Sequence, residues 1–78
     1  MTQQTMDLKF VDYKQGEKDG RKYYLLTLSN GIRSATTFPK TPIDASSLKE
    51  GDDVRVTFNI EIDYNNRFVA QPVDIYPI

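Results

Sequence analysis

"DVRVTFNIEID", residues 53–63, alternates apolar and polar side chains without a break. Val54, Val56, Phe58, Ile60 and Ile62 fall on one side, and Arg55, Thr57, Asn59, Glu61 and Asp63 on the other. A period of two marks a strand with one buried face, because successive Cβ atoms point to opposite sides of the pleat. The five apolar residues are therefore expected in the core. Downstream, "YNN" (64–66) turns the chain into a further strand over 67–76. Pro72 confines that strand to an edge or a bulge, since proline donates nothing to a ladder.

Upstream, "PKTPIDASSLKEG" (39–51) interrupts the β pattern with two prolines. Asp44 or Ser46 is placed to cap one helical turn there, closed by Gly51. Strands are expected over 21–29 and 32–38, around an Asn30-Gly31 pair of the kind that a two-residue type I′ turn favours. A first strand is expected over 6–14, where Met6, Leu8 and Phe10 alternate with Asp7 and Lys9. "QGEKDG" (15–20) reads as a turn in which Gly16 and Gly20 supply backbone freedom. Residues 1–5 are polar and expected to be flexible, which leaves 6–78 as one domain with a small core. Five strands with a loop or helical turn between the third and fourth match the element order of an all-β, five-stranded antiparallel OB-fold barrel. An SH3-like barrel is the alternative, and the wide gap between strands three and four favours the OB reading.

The adjacent tyrosines of "KYYLLTLSNGIRSATTF" (22–38) must point to opposite faces. A two-residue turn at Asn30-Gly31 pairs Ser29 with Ile32, Tyr24 with Thr37 and Tyr23 with Phe38. One face then carries Tyr24, Leu26, Leu28, Ala35 and Thr37, a set suited to a barrel interior. The other carries Tyr23, Leu25, Thr27, Ser34, Thr36 and Phe38, which is expected to face outward.

These residues carry a resemblance. "GRKYYLLTLSNGIRSATTF" (20–38) resembles the second-and-third-strand hairpin of OB-fold single-stranded-DNA-binding domains such as those of replication protein A. In that family the phenylalanine that ends an Ala-Thr-x-Phe strand stacks on bases, which the resemblance carries over to Phe38. "LKEGDDVRV" (48–56) is similar to the approach to the fourth strand of many OB barrels. The short chain and the Gly-basic-x-Tyr run at Gly20–Tyr23 also resemble the helix-destabilising proteins of bacteriophages. The resemblance implies binding of single-stranded DNA in phage or plasmid replication, with RNA left open.

Such binding needs rings that stack on bases and cations that follow the backbone. The candidate rings are Tyr23, Phe38, Tyr64 at a hairpin tip, and Phe68, which shares a parity with Ala70 and Pro72. The candidate cations are Lys14, Arg21 and Lys22 around the first loop, with Lys18 among them, and Arg55 and Arg67 on the last two strands. Tyr23 and Phe38 have a rival role as a seal on the open side of the barrel, and Phe68 a rival place in the core if the Pro72 bulge flips its parity. The net charge of −1 conceals a split: residues 1–40 hold seven Lys/Arg against four acids, and residues 41–78 three against seven.

Cysteine and histidine are both absent. Disulfides, thiolate or imidazole metal ligands and Cys- or His-dependent catalysis are thereby excluded. Asp52-Asp53 and the Glu61/Asp63 pair lack the further groups that a catalytic or metal site needs, and no glycine-rich phosphate loop occurs, so neither an enzyme nor a cofactor is expected. No apolar run approaches the roughly 20 residues of a membrane helix, and "MTQQTMD" is not a signal peptide; a cytoplasmic protein is expected. A protein-interaction module is the competing function, with a homodimer as one form of it, because a domain this small gains stability by association.

Overall fold

Residues 2–78 are described by a computed structural model, and they form a single antiparallel sheet. Its strands are β1 (Thr2–Lys18), β2 (Arg21–Ser29), β3 (Ser34–Thr37), β4 (Asp53–Ile62) and β5 (Phe68–Pro77), in the order β3-β2-β1-β4-β5. The described residues contain no helix.

β1 holds the sheet together by changing partner midway. Thr2–Lys9 pairs with β4, and Lys9–Lys18 pairs with β2. A register shift between Phe10 and Asp12 marks the changeover, leaving Val11 unpaired as a bulge. Thr2–Thr5 pair with Ile60–Thr57 and so extend β1 beyond its expected start at Met6; Met1 lies outside the described residues.

Phe10, Leu26, Leu28, Val54, Val56, Phe58 and Ile75 form the core. The alternation of β4 thus places its first three apolar residues correctly, but Ile60 is only half-buried and Ile62 is 66% exposed. The physical reason is loss of neighbours: β1 covers β4 only as far as Ile60, and Ile62 is paired with Phe68 of β5 alone. In β5 the register shifts opposite Thr57/Phe58, so Val73 bulges beside Pro72 on an edge strand, as the proline requires.

The turns depart from the sequence reading in an informative way. Asp19 (φ 53°) and Gly20 (φ 77°) both adopt positive φ between the paired Lys18 and Arg21, the requirement of a type I′ turn. The tight hairpin is therefore at Asp19-Gly20. Of Asn30 and Gly31, only Gly31 has positive φ, and the connection there is a four-residue loop. Asn30 Oδ1 accepts from the amides of Ile32 (2.9 Å) and Arg33 (2.8 Å), and Ser29 Oγ accepts from Gly31 N (3.0 Å), which stabilises the longer loop. Ser29 consequently pairs with Ser34 and Leu26 with Thr37, a slip of two residues from the expected register. Tyr23 and Phe38 are not opposite one another. A slip of two keeps every side chain on its face, so the division into inner and outer sets survives.

Between β3 and β4, Asp44 Oδ1 accepts from Ser46 N (3.1 Å) and Oγ (2.7 Å), but no helical turn follows. Ile43, Ala45 and Leu48 instead lay the segment against the core, with Ile43 N donating to the Tyr13 hydroxyl at 3.0 Å. The two edge strands approach each other where Thr37 Oγ1 donates to the carbonyl of Ala70 at 3.4 Å. No ladder joins them, and the sheet is open between β3 and β5.

Candidate nucleic-acid interface

Beyond Tyr13, the β1–β2 hairpin runs on as a two-stranded arm. β4 reaches β1 only up to Lys9, and β3 reaches β2 only from Leu26 onward. Cross-strand partners share a face, so the register alone assembles what each side presents. On one side lie the pairs Lys14/Leu25, Gly16/Tyr23 and Lys18/Arg21, continuing into Asp12/Thr27 and Thr27/Thr36. On the other lie Gln15/Tyr24 and Glu17/Lys22.

Tyr23 packs where a side chain is missing. Gly16 faces it across the ladder, and a Cβ there would fall onto the Tyr23 ring at Cζ and Oη. The outer end of the ring occupies the space of a Gly16 side chain, and Tyr23 remains 45% exposed. Lys18, Asp19, Arg21 and Tyr23 line one open hollow at the end of the arm. Among the described residues, neither Lys18 nor Arg21 has a carboxylate within 4.0 Å, and Lys14 reaches Asp12 only at 3.6 Å between exposed side chains. Next to the arm, Thr27 and Thr36 join their hydroxyls at 2.9 Å, a polar cross-strand pair that continues this face onto β3.

The remaining sequence candidates fall elsewhere. Phe38, 63% exposed, lies one residue past the end of β3. Its neighbours tie it to the β4–β5 hairpin: Thr37 bonds to Ala70, and Lys40 Nζ pairs with Glu61 Oε2 at 3.1 Å. That hairpin carries Tyr64 at its tip, fully exposed, and Phe68, 81% exposed opposite Ile62. Asp63 Oδ1 accepts from the amides of Asn65 (2.8 Å) and Arg67 (3.0 Å), which closes the turn and presents Tyr64 to solvent. Asp63 also stands 3.8 Å from the Arg67 guanidinium. The bulge at Val73 puts Phe68 in parity with Phe58 and Ile60, the core-facing set, yet at the uncovered end of the sheet.

Two candidates stand apart. Lys22 is on the opposite face of the arm from Arg21 and Tyr23. Arg55 is in β4, where Nε and Nη2 donate to the two carboxylate oxygens of Asp7 at 2.8 and 3.2 Å. That bidentate bond holds the Asp7 carboxyl below its ordinary range and the Arg55 guanidinium above its own. The pairing of Lys18 with Arg21, and the seat that Gly16 makes for Tyr23, are features that sequence reasoning missed. Asp-Gly is as strong a hairpin signal as Asn-Gly, and using it at 19–20 extends β1 to Lys18 and pairs Gly16 with Tyr23.

The chain matches no protein-family model, no curated protein and no solved structure.

Proposed function

We propose that this chain is an OB-fold protein that binds single-stranded DNA with little sequence preference, using the Lys14/Lys18/Arg21/Tyr23 face of the β1–β2 arm as its primary contact. The observation that carries this reading is the register of that arm, which gathers three cations around one half-exposed ring seated over Gly16. A seated aromatic ring takes a stacked base at about 1–3 kcal/mol, and flanking cations follow the phosphates. Phe38, Tyr64 and Arg67 form a second group of rings and charge near the β4–β5 hairpin, along which the strand continues; Phe68 is on the core-facing side of that hairpin. The OB assignment is supported by the strand order β3-β2-β1-β4-β5 with its two edges drawn together at Thr37 and Ala70. The resemblance of residues 20–38 to single-stranded-DNA-binding hairpins points the same way, toward a helix-destabilising role in replication.

Tyrosine fluorescence tests the proposal directly, since the chain has five tyrosines and no tryptophan. Oligo-dT is expected to quench it saturably. Three phosphate-contacting cations imply a fall of log affinity with log salt of slope about −2 on a single strand. Duplex DNA should compete poorly, because its bases are not free to stack. Affinity that is flat with salt, or duplex that competes equally, contradicts the mechanism.

One observation favours a second reading. Ile62 and Phe68 make an exposed apolar cross-strand pair beside the open edges of β3 and β5. A protein-interaction module, self-association included, uses such an edge. Absence of quenching together with a doubled mass in solution supports that reading over DNA binding.

A further inference from the structure

The open side of the sheet bounds a groove that the arm does not use. A cavity of about 370 Å³ lies between the inner faces of the strands, with Met6 and Leu8 of β1, Leu28 of β2, Ala35 of β3, Phe58 of β4 and Ala70 of β5 in its walls. Its size falls within the range of small-molecule sites, and every strand contributes an apolar residue to its walls, with Ser29, Ser34 and Thr37 adding hydroxyls. Leu28 and Phe58 belong to the core, so the space reaches the centre of the fold. Ala35 and Ala70 keep it open between β3 and β5, where larger side chains would fill it.

The mouth carries a single charge. Arg33 lines it together with Asn30 and Ser34, and no acidic residue does. Arg33 makes no ion pair among the described residues, whereas the carboxylates of the adjoining hollow, Asp7 and Asp53, are engaged by Arg55 and Lys9. The Asn30 loop fixes the Arg33 backbone from both ends: Arg33 N donates to Asn30 Oδ1 at 2.8 Å, and Asn30 N donates to the Arg33 carbonyl at 3.1 Å. A guanidinium held by its backbone at the rim of an apolar cavity is complementary to an anion with an apolar tail.

We infer that this cavity is a binding site for a medium-chain fatty acid, with the carboxylate at Arg33 and the hydrocarbon between Ala35, Ala70 and the core. The site is on the opposite side of the sheet from Tyr23 and stands independently of the nucleic-acid reading. Octanoate and hexanoate, titrated below their micellar range and followed by NMR, test it. Saturable one-to-one shifts are expected at Met6, Ala35 and Ala70, with affinity rising about fourfold for each added methylene. Arg33→Gln should weaken octanoate about tenfold and leave 1-octanol unchanged. Arg33 is exposed and its side chain makes no hydrogen bond or ion pair among the described residues, so the variant retains the structure. Shifts that never saturate, affinity independent of chain length, or octanoate binding unaltered by Arg33→Gln would overturn the assignment. Equal weakening of octanoate and octanol would do the same, by showing that Arg33 acts on the shape of the cavity rather than on the anion.

Discussion

The β1–β2 hairpin contains two regions built from the same alternating sequence and put to different use. In the half near Phe10, Leu26 and Leu28, each strand has neighbours on both edges, and these three side chains are buried. In the half from Lys14 to Leu25, each strand has one hydrogen-bonded neighbour, and no residue is fully buried. Alternation assigns side chains to faces in both halves. Burial depends on what lies beside and over the face, and among the described residues no third strand pairs with the arm. Tyr24 is in phase with Leu26 and Leu28 but stays only half-buried, two residues too far along the strand to join the core.

Substitutions on either side of this divide should separate stability from binding. The largest effect is expected from Leu26→Ala, in the covered half, where truncating a fully buried leucine typically costs about 2–5 kcal/mol of unfolding free energy. A denaturant melt reads that loss, and oligo-dT affinity should hold wherever the variant is folded. Tyr23→Ala is the counterpart on the arm. It should weaken oligo-dT binding by about 1–3 kcal/mol while shifting the melt little, since the ring is already half-exposed. If Tyr23→Ala instead unfolds the protein with affinity intact, the arm belongs to the core and the comparison fails.

Gly16→Ala sharpens the point without touching a ring. The added methyl occupies the seat of Tyr23 and pushes the ring off the ladder. An affinity loss of about 1 kcal/mol is expected from displacing one stacked base, with the melt nearly unchanged. Affinity equal to that of the parent would show that the ring need not lie on Gly16 to work.

The smallest effect lies away from the arm, on the ladder between β1 and β4. Asp7 is held below its ordinary pKa of 3.8 by its hydrogen bonds to Arg55. A carboxylate depressed in this way stabilises the fold above that value, and its contribution disappears as pH falls through the lowered one. Asp7→Asn should therefore be slightly less stable than the parent at neutral pH, with the gap closing as melts are taken below about pH 3.8. Because the pair is exposed, the difference should also shrink in high salt.

Much of the fold was legible in sequence because β4, β2 and β5 are each decided by local signals: alternation, turn residues and a proline. Val54, Val56 and Phe58 follow from alternation alone. Ile62 does not, because its exposure depends on where β1 stops covering β4, a fact about another strand. The register of β2 with β3 was missed by two residues because Asn30 spends its side chain closing a longer loop. Even so, the inner and outer sets remained correct, since a slip of two conserves parity. Of the candidate site, the register brings Lys14, Arg21 and Tyr23 together and separates them from Lys22, which sits between Arg21 and Tyr23 in sequence. Phe38 joins the β4–β5 hairpin through Thr37 and Lys40, a tertiary connection that no local pattern encodes.

Arg21 and Lys22 give the most direct test of the claim that one face of the arm binds the strand. They are adjacent, alike in charge and exposed, and they differ in the face they share: Arg21 with Lys18 and Tyr23, Lys22 with Glu17 and Tyr24. The measurement is the salt dependence of oligo-dT affinity for Arg21→Ala and for Lys22→Ala, read by tyrosine fluorescence. Arg21→Ala should weaken binding and make the slope of log affinity against log salt shallower by about 0.7, the worth of one phosphate contact on a single strand. Lys22→Ala should leave the slope where it was. Equal changes in the two variants, or a change in Lys22→Ala alone, would contradict binding on the Tyr23 face.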